Sequence, residues 1–177
     1  MFTMAGHRSG HVTDDDCTTA PVSAATAAML ALPWTNLMPV DLHTFAFALR
    51  LVRSTMTVVS PLTDALDVAD DSLERAAGCW YSHMDRHPDA AAMEAQGALD
   101  DVRDVLSLAG CTCGGSTDLD RRVLRAAVSD AAEALAEFVD TKSGPPVPWE
   151  VGPDAATIAH LTRAGAALSD LVAALSD

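Results

Sequence analysis

Basic residues are scarce in this sequence. Of its 177 residues only 11 are lysine or arginine, against 25 aspartates and glutamates, and the formal net charge is −14. A surface that binds free nucleic acid must neutralise phosphates, so no direct nucleic-acid partner is expected. Basic proteins or cations suit this charge better. Aromatic residues are also few, at 5%. No uninterrupted apolar run approaches the roughly 20 residues that span a bilayer. The start, MFTMAGHRSGHVTDDDC, lacks the basic-then-apolar order of a secretory signal, because Asp14, Asp15 and Asp16 occupy the place of the apolar core. The expectation is a cytoplasmic protein without membrane contact. In that compartment Cys17, Cys79, Cys111 and Cys113 are expected to stay as free thiols. Catalytic motifs are missing as well: there is no G-x-S-x-G, phosphate loop, H-E-x-x-H or paired C-x-x-C. No catalytic residue and no cofactor is therefore assigned, and the chain is read as more consistent with a non-enzyme than with an enzyme.

What the chain does hold is apolar and small. Hydrophobic residues make up 49%, enough for a sizeable core. Much of that is alanine, which favours helices packed close together. Aspartate greatly outnumbers glutamate, and arginine outnumbers lysine ten to one. We read this as codon bias in a GC-rich bacterial genome.

The patterning predicts an all-α fold, a bundle of about five antiparallel helices. Residues 1–20 are polar and aperiodic and are expected to be a disordered, mobile tail; 21–177 are expected to form a single helical-bundle domain. A short helix over 22–32, capped by Ser23, precedes the proline-broken PWTNLMP. Principal helices are expected near 41–59, 61–86, 89–109, 118–140 and 154–175. The first carries Leu42, Phe45, Leu49, Val52, Met56 and Val59 at alternating intervals of three and four, with Asp41 as N-cap. In the second, Ser60 caps and Pro61 takes the first helical position, ahead of Leu62, Leu66, Ala69, Leu73, Ala76 and Trp80. The third has Ala92, Ala95, Leu99, Val102, Leu106 and Ala109, with Gly110 as its C-terminal cap. Thr117 and Asp120 resemble a capping box for the fourth, which shows Leu124, Val128, Ala131, Leu135 and Phe138. The segment 144–153, GPPVPWEVGP, cannot be helical, and Trp149 is expected to plug a bundle end. In the fifth, Gly165 falls within the stripe of Ile158, Leu161, Leu168, Val172 and Leu175, which suggests a close backbone approach. The expected core includes Leu49, Val52, Leu66, Leu73, Leu99, Val102, Leu124, Leu135, Leu161 and Leu168.

The strongest chemical hint is CWYSHMDRH at 79–87. Cys79, His83 and His87 are spaced four apart, as metal ligands on one helix face would be. Extending the stripe past Trp80, however, lands on 83 and 87. The histidines are therefore expected to terminate a buried stripe and to hold no metal. The Cys111-x-Cys113 pair should lie about 30 Å away, at the far end of the intervening helix. The carboxylates of DVADD (67–71) and DDVRD (100–104) lack a calcium loop's glycine turn and are expected to form solvated faces.

These observations point first to a non-enzymatic helical protein acting through protein–protein contacts, as an adaptor, an assembly component or a homodimer. More apolar stripes than one core needs would leave one for a partner. Two alternatives are an acidic nucleic-acid mimic that inhibits a DNA- or RNA-binding partner, and a metal-dependent helical enzyme using His83 and His87, for which Cys79, His83 and His87 are the candidate ligands.

Overall fold

The computed structural model describes residues 19–84, 117–145 and 152–176. Among the described residues five α-helices pack against each other and there is no strand. They are α1 (Thr19–Leu30), α2 (Pro39–Ser54), α3 (Pro61–His83), α4 (Thr117–Lys142) and α5 (Ala155–Ala174), with a 3₁₀ turn at Trp34–Asn36.

Local chemistry sets the boundaries. Pro39 opens α2, because its fixed φ suits the first turn and its missing N–H is not needed there. Asp41 is therefore not the N-cap expected from sequence. It lies in the first turn and reaches back to accept the Met38 N–H at 2.7 Å. The helix stops at Ser54, five residues short of the expected end, where the β-branched residues Thr55, Thr57, Val58 and Val59 begin. Thr55 turns its hydroxyl back onto the Val52 carbonyl at 2.7 Å, and Arg53 donates to the Met56 carbonyl at 3.1 Å. Met56 is half-buried and still packs on the core, whereas Val59 is exposed and leaves the expected stripe.

Ser60 and Pro61 start α3 as expected. The Ser60 hydroxyl accepts the Thr63 N–H, while the Thr63 hydroxyl accepts the Ser60 N–H at 2.8 Å. Helix α1 begins at Thr19, so Ser23 lies inside it and does not cap it. Trp34 closes the turn after α1: its indole N–H donates to the Met29 carbonyl at 3.2 Å, and its ring meets Phe45 edge-on at 5.4 Å.

The helices close a ring in the order α1, α2, α3, α5, α4 and back to α1, each packed against the next. Neighbouring directions follow from the ends. A short loop reverses the chain between α2 and α3. The end of α3 and the start of α5 border one cleft. Arg121, early in α4, donates to the carbonyls of Ala174 and Leu175 at the end of α5, both at 3.2 Å. The core inside the ring holds Leu49, Val52, Leu66, Leu73, Leu124, Leu135, Leu161 and Leu168, all buried as expected from periodicity. Leu99 and Val102 lie outside the described residues, as do the helix expected at 89–109 with its Gly110 cap, Trp149 and residues 1–18 of the expected tail, whose last two residues, Thr19 and Ala20, belong to α1; α4 begins at Thr117, and the side chains of Thr117 and Asp120 are not among those described. Among the described residues no helix is long and apolar enough to cross a membrane.

The Ser72 hydroxyl is fully buried and finds no partner among the described residues. Ser72→Ala should therefore raise stability by about 1 kcal/mol, since it removes an unpaired buried polar group from a helix interior. Leu135→Ala and Leu161→Ala should each cost roughly 2–5 kcal/mol. Chemical denaturation of the three variants tests both signs. A loss under about 0.5 kcal/mol at both leucines would mean that α4 and α5 do not share this core.

Candidate functional site

Three groups of polar side chains stand out, and they differ in how much of their charge is already used. The first is where sequence pointed. Past Trp80, the inward register continues at the half-buried Met84, which packs on the core. A step of four places 84 inward and leaves 83 outward. His83 is accordingly exposed, a correction to the expectation that it ends the buried stripe. It borders an open cleft of about 570 Å³ with Arg75, Cys79 and Ser82 from α3 and Asp154 and His160 from α5. Asp154 and His160 come from about 70 residues further along, which spacing within one helix could not reveal. No three His, Cys, Asp or Glu side chains are grouped so as to hold a metal ion among the described residues. His87, Cys111, Cys113 and Cys17 lie outside them.

Asp154 has a defined structural task. It is the N-cap of α5, and one carboxylate oxygen accepts both the Thr157 N–H at 2.8 Å and the Thr157 hydroxyl at 2.6 Å. These bonds, with help from nearby His83, hold its carboxyl below the usual value of 3.8.

The second group is a ladder across the seam between α2 and α3. Arg50 bridges Asp70 at 2.8 Å and Glu74 at 2.7 Å, and Arg53 pairs with Asp67 at 3.1 Å. The other Glu74 oxygen meets His43 Nδ1 at 2.7 Å, and the His43 ring stacks on Tyr81 at 5.8 Å. Burial pushes the Glu74 carboxyl up, but the bonds and charges of His43 and Arg50 outweigh this and leave it below 4.5. Asp71 pairs with Arg75 one turn on, at 2.8 Å. The DVADD carboxylates are thus not simply a solvated face: Asp67, Asp70 and Asp71 are each held by an arginine. DDVRD lies outside the described residues.

The third group went unread in the sequence. Asp130, Glu133, Glu137 and Asp140 stand at intervals of three, four and three along α4, all exposed. None of the four makes an ion pair or hydrogen bond among the described residues. The signal was present as a second helical period, out of phase with Leu124, Val128, Leu135 and Phe138. Beside it, between α4 and α5, runs a groove of about 300 Å³ floored by Leu135, Val139 and Leu161. Gly165 lies in its wall, and a Cβ there would meet nothing within 4 Å. The close backbone approach expected at Gly165 is therefore absent; the missing side chain leaves the groove open. No family model, curated protein or solved structure matches the chain.

The caps and ladders set an acid limit. A carboxyl held below its ordinary pKa stabilises the fold above that value and loses its effect as pH falls through the folded value. Stability should thus decline as pH drops below about 4.5, the ordinary value for Glu74, and further below 3.8, that for Asp154. Asp154→Ala should cost about 1 kcal/mol at neutral pH and flatten the lower part of the decline. Thermal unfolding from pH 7 to pH 3 measures this. An Asp154→Ala profile parallel to the parent's over the whole range would deny the cap its role.

Proposed function

We propose that the protein acts by docking another protein against α4, as an adaptor or assembly component in the cytoplasm. The observation that carries this is the unpaired carboxylate row of Asp130, Glu133, Glu137 and Asp140 on one rigid helix. The row is costly to keep. Its successive members are like charges at i, i+3 and i, i+4, which together oppose helix formation by on the order of 1 kcal/mol. Asp140 also sits in the last turn, where the helix dipole disfavours negative charge. Arginines neutralise the carboxylates of α3 but leave this row bare. A partner that supplies positive charge accounts for it. Self-association through this face is disfavoured, because two copies would each bring the same negative row. The unpaired thiol of Cys79 suits a reducing compartment.

A nucleic-acid mimic would use the same row against a basic cleft. That reading has less support, since the row rises only about 15 Å along the helix and borders an apolar groove, which mimicry of phosphates does not call for.

The test is a photo-crosslinker at Ala136, beside the row, and at Asp64 on the exposed face of α3 as a control, in the native host. A protein adduct should form from Ala136 alone and disappear when Glu133→Gln, Glu137→Gln and Asp140→Asn are combined. Those three changes should leave the fold intact and raise its stability by about 0.5–1 kcal/mol. An adduct that persists at full yield after neutralisation removes the basis of the proposal.

A further inference from the structure

We infer that the groove between α4 and α5 receives a basic amphipathic helix of the partner, apolar face down, with its lysines or arginines along the α4 flank. This rests on the function proposed above and names the chemistry of its partner.

Two independent features define the occupant. The groove is apolar and shallow: Leu135 and Leu161, themselves buried, close its bottom, and half-buried Val139 with Ala136, Gly165 and Ala166 present its accessible apolar surface. A helix can lay an apolar stripe into such a channel, with side chains at i, i+3, i+4 and i+7 as anchors. Charge then selects among amphipathic helices. Asp140 lines the groove and Glu133 stands next to it around α4, where a long basic side chain from the groove can extend, while Glu137 and Asp130 continue the negative charge onto the outward face. The α5 wall offers only Thr162, Gly165, Ala166 and Ser169, without charge. An acidic or neutral helix of the same apolar pattern would meet repulsion or indifference along the α4 side.

Gly165 makes the groove testable without harming the fold. A side chain there enters open space, and alanine or leucine in place of glycine favours the helix. Gly165→Leu fills the channel from α5 without touching the carboxylates, and the triple neutralisation removes charge without touching the channel.

The experiment uses the full chain and synthetic helical peptides with one leucine face, flanked by lysine and arginine or by glutamate. Backbone amide shifts give the site, and fluorescence anisotropy gives the affinity. The basic peptide is expected to bind at least about tenfold more tightly than the acidic one and to weaken steeply with salt. It should shift the amides of Ala136, Thr162, Gly165 and Ala166. Gly165→Leu should abolish binding while unfolding stays at or above the parent temperature, and Gly165→Ala should weaken it less. The triple neutralisation should cost about tenfold and flatten the salt dependence. Equal affinity for both peptides, shifts confined to α2 and α3, or binding unchanged in Gly165→Leu would each overturn the inference. So would concentration-dependent shifts of the groove amides in the protein alone, which mark a second copy as occupant. Shifts there on mutation of Leu99 and Val102 would instead mark the chain's own 89–109 segment. Failure of the peptides with the Ala136 adduct intact sinks only the groove; loss of both sinks the docking function.

Discussion

Among the described helices the seam between α3 and α5 is the broadest, and the rest of their arrangement depends on it. Helix α3 buries a wide face, from Ala65 and Leu66 through Ala69, Leu73, Ala76 and Ala77 to Trp80, and so serves α2 on one side and α5 on the other. Alanines on both elements, with Ala164 and Ala167 from α5, let the axes approach closely. Once α5 is fixed against α3, α4 completes the ring on the far side of α5 and joins α1. That placement settles which face of α4 turns inward. Leu124, Val128, Leu135 and Phe138 are consumed by the core, and the carboxylates one-third of a turn or more away are left to water.

The same ring sorts the protein's charge into two populations. Along the α2–α3 seam, Arg50 and Arg53 stand opposite Asp70, Glu74 and Asp67, and each carboxylate finds a cation. Pairs this exposed contribute little net stability, but they cancel field. On α4 three arginines lie early, at Arg121, Arg122 and Arg125, and the acidic row lies late, with Lys142 the one basic residue of the last turn. Arg121 is further occupied by the carbonyls that end α5. With a net charge of −14 on the whole chain, the late half of α4 sets four carboxylates against the single Lys142, so its potential is net negative. Field lines from such a row reach a partner before contact does.

Most of the fold was legible because it rests on period. Intervals of three and four located α2 to α5 and picked Leu49, Leu73, Leu135 and Leu168 correctly, since the hydrophobic stripe and the core are the same physical fact. Ends were less legible. The stripe of α2 runs on through Met56 and Val59, but β-branched residues and the hydroxyl of Thr55 end the helix first. His83 shows a subtler limit: intervals of three and four are both allowed after Trp80, and only packing decides between His83 and Met84. The candidate site was least legible. Attention to ligand spacing favoured histidine and cysteine, while the row on α4 is a polar period that any solvated helix could carry. What distinguishes it is that none of its four carboxylates forms an ion pair among the described residues, and that requires knowing which arginines face which acids. Gly165 likewise reads the same in sequence whether it admits a neighbouring backbone or leaves a channel empty.

Charge and channel together specify more than either does alone. A bare acidic helix attracts any basic surface, quickly and with little selectivity. An apolar groove of about 300 Å³ takes many apolar side chains. Here the groove is lopsided, with carboxylates beginning on the α4 flank and none on the α5 wall. A helix with cations on both flanks wastes half of them, and one rotated about its own axis either lifts its apolar stripe from the floor or turns its cations toward Thr162 and Ser169. Only one rotational setting satisfies both demands, so the asymmetry of the groove fixes orientation as well as binding. That setting has to be prepared in advance. The row sits on a helix anchored by Leu124, Leu135 and Phe138, and is not carried on a loop that must first be ordered at an entropic cost. The folding free energy given up to hold like charges on a rigid helix thus returns as pre-organisation when a partner arrives.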